Sequence, residues 1–294
     1  LDDYISYILT TVDTRLDGIQ AIVDCANGSA SFTAPPTLKK LGVRLTVVHD
    51  APNGTNINEN CGSTHMEAVA RLVKSGNADI GFAFDGDADR LLAVDELGNI
   101  VDGDQILAIC GHYLKEQGKL KNDTIVATIM SNLGLLKMGE ANGITVQKTK
   151  VGDRYVLEKM LKDGDILGGE QSGHIIFLEH NTTGDGLITV LQLLSVMKHT
   201  GKKLSELAKI MTVMPQVSVN VMVDNERKYE YIDDVEIMDT IHQVERLFEK
   251  DGRVLVRPSG TEPMIRIMIE GQNLSLMEEQ ANFIADIMKQ NLGF

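Results

Sequence analysis

Short apolar runs alternate with amphipathic stretches along most of the chain, a pattern of α/β layers with mainly parallel sheets. Residues 18–26 (GIQAIVDCA) read as a buried strand that closes on an Asn27-Gly28 turn. A helix then runs through Leu38 to a stop at Gly42, with a strand over 43–48, a helix over 66–75 and a strand over 79–84. The order recurs further on: strand 124–130, a helix opened by Asn132 and closed by Gly143, strand 144–148. IVDCANG…KKLGVRLTV and IVATIMSN…GEANGITVQ match in this way, which suggests two copies of one α/β unit. Asp185 is placed to cap a helix over 186–200 that stops at Gly201.

After Met214-Pro215 the pattern changes. Residues 217–223 alternate as a strand, and Val235, Met238, Ile241, Val244 and Leu247-Phe248 recur at helical spacing. Strands follow at 254–256 and 264–269, and Ser275 with Glu278 reads as a capping box for a last helix ending at Gly293. The expected fold is α/β: two similar α/β domains with mainly parallel mixed sheets, then a small α+β C-terminal domain with an antiparallel sheet. The expected limits are 1–101, 102–212 and 213–294. The chain opens on Leu1, not Met, just before a helix expected over 3–12, so it reads as a piece of something longer.

Composition narrows the function classes. With 43% hydrophobic and 24% charged residues the chain is globular, not disordered. Its 28 Lys+Arg against 42 Asp+Glu leave a net charge of −14, which repels phosphodiester backbones, and the absence of Trp leaves little to stack bases on. Nucleic acid is not an expected partner. Neither is a membrane, since no apolar run reaches the roughly 20 residues a spanning helix needs. Cys25, Cys61 and Cys110 are odd in number and form no C-x-x-C, which argues against a disulfide framework or a zinc site and for a reducing cytoplasm.

Three clusters carry chemistry. Asp85-Gly86-Asp87-Ala88-Asp89-Arg90 follows an apolar strand directly. Carboxylates at alternate positions, with Gly and Ala between, can curl inward onto one hard cation such as Mg²⁺. The bland alternative is a solvated acidic turn, but three Asp in five residues repel one another without a counter-ion. An EF-hand fails because Arg90 stands at its sixth position, which needs Gly. A D-x-D-x-[TV] phosphatase loop fails because Asp89 stands fifth. Arg90, beside the metal, can hold a phosphate oxygen or simply offset the acids.

Glu170, Ser172 and His174 in GGEQSGH suit hydrogen bonding to vicinal sugar hydroxyls, although His174 alone would read as a core imidazole. Arg257-Pro258-Ser259-Gly260-Thr261-Glu262-Pro263, with Arg266, makes a phosphate cradle; a plain turn explains the Gly and Pro but not both Arg. Lys150-Val151-Gly152-Asp153-Arg154 is a weaker signal that a capping turn explains equally well. No G-x-G-x-x-G follows a strand, and Walker A, G-x-S-x-G and H-E-x-x-H are absent.

Together, and in this order, DGDADR, GGEQSGH and RPSGTEP resemble the metal-binding, sugar-recognition and phosphate-binding loops of the α-D-phosphohexomutases. The resemblance covers the whole chain. The wording of MSNLG, KVGDRYV and GGEQSGH is most similar to the branch that interconverts glucosamine 6-phosphate and glucosamine 1-phosphate, with mannose or glucose phosphates as alternatives. Ala88 departs from the Gly of many relatives.

The resemblance implies Mg²⁺ on Asp85, Asp87 and Asp89, with Arg90 and His174 assisting transfer. Glu170, Ser172 and His174 would meet sugar hydroxyls, and Arg257, Ser259, Gly260, Thr261 and Arg266 the non-reacting phosphate. Lys150, Asp153 and Arg154 would line a wall. It also implies a first domain with a phosphoserine in a T-A-S-H-N-P loop, from which a bisphosphate intermediate forms. No such loop occurs in these 294 residues, so the chain is expected to be truncated and inactive alone. Rival expectations are a Mg²⁺-dependent phosphatase with Asp85 as nucleophile and a non-catalytic sugar-phosphate binder. Oligomeric state is left open, a homodimer included.

Overall fold

Apolar runs of about five residues are too short for stable helices, and in the computed structural model, which describes residues 1–260 and 262–292, they pair as strands. The chain divides into two compact units, Leu1–Ser131 with Leu135–Thr212, and Asn132–Gly134 with Val213–Phe294.

The elements up to the change of pattern begin with α1 (Asp2–Leu9), β1 (Gln20–Asp24), α2 (Ala30–Lys40), β2 (Arg44–Val48), α3 (Met66–Gly76), β3 (Ile80–Phe84), β4 (Leu91–Asp95) and β5 (Ile100–Val101). There follow α4 (Gly103–Glu116), β6 (Thr124–Thr128), α5 (Leu133–Asn142), β7 (Thr145–Thr149), α6 (Asp153–Asp163), β8 (Leu167–Gly169), β9 (Ile175–Phe177), α7 (Gly186–Thr200) and α8 (Leu204–Leu207). One sheet has the order β2-β1-β3-β4-β5 and the other β7-β6-β8-β9. In each, the first three strands are parallel and those after them antiparallel. The first four strands of the larger sheet follow the same order as the four of the other, which is the structural form of the internal repeat.

Strands covered on both faces need apolar residues at successive positions. Ala21 and Val23 of β1 enter one core while Ile22 enters another, as the two-residue period of a strand requires. Helix α7 touches β4 of the first sheet and β9 of the second. It is buried nearly all round, from Leu187 and Ile188 to Val196 and Met197, so it has no polar face to give to solvent. This helix is why two sheets share one core.

The caps match the sequence. Asp185 Oδ1 accepts from the Leu187 and Ile188 N–H groups at 3.0 Å each, Gly201 ends α7 at φ 65°, and the Tyr4 hydroxyl donates to Asp185 Oδ2 at 2.9 Å. Asp185→Ala removes both cap bonds and the acceptor of a half-buried hydroxyl. We expect a loss of about 1–2 kcal/mol, read as a fall in melting temperature of roughly 2–8 °C.

In the second unit, β10 (Gln216–Met222), α9 (Val235–Phe248), β11 (Arg253–Pro258), β12 (Met264–Glu270) and α10 (Leu274–Leu292) build an antiparallel sheet of order β10-β12-β11 with both helices packed on it. Ile265, Ile267 and Ile269 of β12 meet Ile241, Val244 and Phe248 of α9 in its core. The buried stripe of α9 is rotated from the expected one: Ile237, Thr240, Ile241, Val244 and Phe248 face inward, while Val235 and Leu247 are exposed. Asp234, immediately before Val235, caps the helix and accepts from the Ile237 N–H at 2.9 Å. At α10, the Asn273 side chain, not Ser275, takes the cap, accepting from the Leu276 N–H at 3.1 Å. The expected stop at Gly293 lies outside the described residues. Among the described residues no helix is long and apolar enough to cross a membrane.

Candidate active site

β3 and β4 pair antiparallel with Phe84 opposite Leu91, so residues 85–90 form the loop of a hairpin. Asp85, at the strand end, is 8% exposed, Asp89 is half-buried, and Asp87 stands in solvent. One oxygen from each lies within 4.8 Å of the others, so the carboxylates converge. Asp85 Oδ1 accepts from the Arg90 N–H at 3.1 Å, and the Arg90 guanidinium stands 3.6 Å from Oδ2. Burial, and then the nearness of Asp89 and Asp87, push the Asp85 carboxyl up to about 7. Asp89 Oδ1 is buried without a hydrogen-bond partner. The Arg90 Nε stands 3.9 Å from it; a buried carboxylate oxygen with no hydrogen-bond donor, in an all-oxygen set, suits a hard divalent cation, so the loop fits Mg²⁺. Ala88 sits at φ 63°, a left-handed conformation that favours Gly.

The second loop docks on the first through its backbone. Leu91 N–H donates to Gly173 O at 3.1 Å, and Arg90 and His174 form an isolated antiparallel bridge. Gly173 has φ 95°, and a Cβ there would lie 2.2 Å from Leu91 O. Gly173→Ala therefore meets both a strained φ and a backbone clash. We expect at least about 2 kcal/mol of destabilisation by urea unfolding, with weakened binding at the aspartate loop.

The His174 ring is 2% exposed. Its Nε2 accepts from the Gly184 N–H at 3.0 Å, which places the ring proton on Nδ1, and Nδ1 donates to Asp89 Oδ2 at 3.1 Å. Both nitrogens are thus engaged inside the protein.

Glu170 Oε1 accepts from the Gly152 N–H at 3.1 Å, which joins the GGEQSGH turn to the 150–154 segment, and Ser172 is exposed beside it. Gln171 Nε2 donates to Asp102 Oδ2 at 3.1 Å. Lys150, Asp153 and Arg154 are exposed; Arg154 pairs with Glu158 at 2.7 Å, and the Lys150 ammonium lies 5.9 Å from the Tyr155 ring centroid.

In the second unit, β11 ends on Arg257-Pro258, and Ser259, Gly260, Glu262 and Pro263 lie between it and β12. Arg257 and Arg266 stand directly opposite each other, like charges on a cross-strand pair. Each has a buried Nε without a partner, although Arg266 also pairs with Glu262. Burial and the neighbouring Arg266 charge lower the Arg257 pKa. Ser259 is buried, its Oγ accepts from the Glu262 N–H at 3.2 Å, and Gly260 is open to solvent. Lys228, 7% exposed, donates to Ser259 O at 2.9 Å and so joins this loop, although no motif in the sequence pointed to it. Thr261 lies outside the described residues.

Three family profiles match in chain order: phosphoglucomutase/phosphomannomutase alpha/beta/alpha domain II over residues 2–98, domain III over 102–214, and the C-terminal domain over 219–287. A curated phosphoglucosamine mutase of Acetivibrio thermocellus is 55% identical over 293 residues, covering 100% of this chain and 65% of that protein. One of Alkaliphilus oremlandii is 53% identical with the same coverage. The chain thus spans about 65% of the length of the curated relatives it matches. Among solved structures, a phosphoglucomutase/phosphomannomutase family protein from Burkholderia thailandensis superposes with a TM-score of 0.80 at 23% identity, over 98% of this chain and 64% of that one. Aspergillus fumigatus N-acetylphosphoglucosamine mutase, solved with GlcNAc-6P and magnesium, gives 0.74 at 22% identity, over 97% and 68%. Both likenesses concern the fold.

Proposed function

Since this chain belongs to the phosphoglucomutase/phosphomannomutase family, we propose that it carries the metal and sugar-phosphate sites of a mutase that interconverts glucosamine 6-phosphate and glucosamine 1-phosphate. The observation that carries this reading is the convergence of three aspartates, with a buried Asp89 oxygen that accepts no hydrogen bond. Asp85, Asp87 and Asp89 would hold Mg²⁺, which when bound neutralises charge on a transferring phosphoryl group. Arg90, anchored beside Asp85 but with its side chain 47% exposed, would reach a phosphoryl oxygen from the same loop. We assign His174 a positioning role: it holds the Asp89 carboxylate toward the cation and does not itself exchange a proton with the sugar.

Glu170, fixed at one oxygen by Gly152, would accept a sugar hydroxyl at the other, with the exposed Ser172 as its neighbour. Both sugar orientations must present an oxygen to one place, and paired short donors and acceptors suit either. Arg257, Ser259, Gly260 and Arg266 would take the non-reacting phosphate, Thr261 by resemblance only, and Lys150, Asp153 and Arg154, joined to Glu170 through Gly152, would line a wall of the sugar site. We divide the chain at 1–101, 102–212 and 213–294, with support from the limits of the three family profiles.

The reaction needs a phosphoserine, and the sequence contains no loop of that type. The test is product analysis with glucosamine, mannose and glucose 6-phosphates, with and without a serine-bearing domain of a relative added in trans. Expected is 1-phosphate formation only with the added domain, fastest for glucosamine. No product from any sugar would remove the proposal, and inorganic phosphate released by the chain alone, with Asp85 trapped as phosphoaspartate, would replace it with a phosphatase.

A further inference from the structure

A second set of metal donors converges from three separate segments. Asp24 closes β1, His49 follows β2 directly, and Cys61 precedes a single 3-10 turn, Gly62–Thr64. One donor atom of each lies within 4.8 Å of the others. The Asp24 carboxylate is fully buried and fixed, with Oδ1 accepting from the Ala26 N–H at 2.9 Å and Oδ2 from the Gly62 N–H at 3.0 Å. His49 Nδ1 is 3.0 Å from the same Oδ2. Cys61 is buried, while the His49 side chain is 36% exposed and gives the cluster its opening to solvent. The surrounding backbone is bent: Ala26, Asn27, His49, Asn58 and Asn60 all have positive φ between 48° and 58°. Asn adopts this conformation readily, but Ala26 and His49 do so against the preference of an L-residue, and strain of this kind gathers at functional sites.

We propose that Asp24, His49 and Cys61 form a second metal site, for a divalent ion of the zinc class. The donor set decides the ion. Thiolate and imidazole select zinc and its neighbours, whereas Mg²⁺ takes oxygen ligands and keeps several waters. Three protein ligands leave a fourth tetrahedral position on the open His49 side for water, and the thiol releases its proton to solvent on binding. The two backbone N–H groups on Asp24 act as the outer shell that orients a ligating carboxylate. A plain Asp24–His49 hydrogen bond explains the 3.0 Å contact, but not a thiol within 4.8 Å of both, whose Sγ also accepts from the Asn27 amide at 3.8 Å. In the sequence these ligands stand 25 and 12 positions apart, with no short C-x-x-C or H-x-x-H spacing to mark them.

The test is titration of the 294-residue chain with Co²⁺ in excess Mg²⁺. The expected result is a near-ultraviolet thiolate-to-cobalt charge-transfer band with the visible bands of a tetrahedral ion, saturating at one Co²⁺ per chain and lost on adding Zn²⁺. Cys61→Ala abolishes the charge-transfer band, and Cys61→Ser, which keeps the shape of the side chain, does the same should the alanine fail to fold. His49→Gln weakens Co²⁺ binding at least ~10-fold. Asp87→Asn, Cys25→Ala and Cys110→Ala leave the band in place. A folded wild-type chain without the band, or a band that survives in the folded Cys61 variants, overturns the proposal.

Discussion

Asp89→Asn is expected to lower Mg²⁺ affinity at least about 100-fold, measured by titration calorimetry on the chain itself. It should also lower mutase turnover about 1,000-fold once a serine-bearing domain is supplied, since a metal at a transferring phosphoryl group is worth several kcal/mol and each 1.4 kcal/mol is tenfold. The amide is nearly isosteric, so the loop keeps its shape while the ligand loses its charge. Of the three aspartates this one has the most at stake: one oxygen is buried and accepts no hydrogen bond, with the Arg90 guanidinium 3.9 Å away, and the other is held by His174. His174→Asn should cost less, about 10–100-fold in metal affinity, because it removes the group behind the ligand and leaves the ligand itself. Equal losses for both residues, or wild-type Mg²⁺ binding by Asp89→Asn, would remove the metal from this loop.

Much of the fold was legible because local and global signals agree. The paired strand-turn-helix segments around Asn27 and Asn132 carry the internal repeat, and Asp185 and Gly201 bound α7 as their chemistry dictates. Helix α4 was not read out. Its apolar positions, 106–110, are consecutive and all buried, so its first turns show no helical period, and polar side chains such as His112, Lys115 and Glu116 enter only toward its end. The one usable signal was its capping box, in which Asp102 accepts from Gln105 N–H and the Gln105 side chain accepts from Asp102 N–H.

In the site, side-chain type announced the three loops, but orientation did not. Nothing in GGEQSGH tells a ring that meets sugar from one enclosed between Gly184 and Asp89. That difference is made by the Arg90–His174 bridge, a pairing between residues far apart in the chain. Lys228 is missing from any motif for a similar reason: a single lysine in a polar turn acquires meaning only when its ammonium reaches Ser259 O.

Arg257→Ala is expected to raise KM for the sugar phosphate by about 10–100-fold with a smaller change in kcat, because a charge-assisted hydrogen bond to a non-reacting group is worth about 1.5–3 kcal/mol in ground and transition states alike. The unliganded protein should tolerate the change. Two guanidiniums facing each other across β11 and β12 repel, and removing one relieves that repulsion while losing the packing of its stem. Melting with and without inorganic phosphate separates the two effects. Phosphate should raise the melting temperature of the wild type and do so much less for the variant, since stabilisation follows the logarithm of ligand concentration over Kd. Arg266→Ala serves as comparison, because it also deprives Glu262 of its partner and should cost stability as well as affinity. Were phosphate to stabilise Arg257→Ala as much as the wild type, the opposed arginines would be a strained structural pair and the anion would have to bind elsewhere.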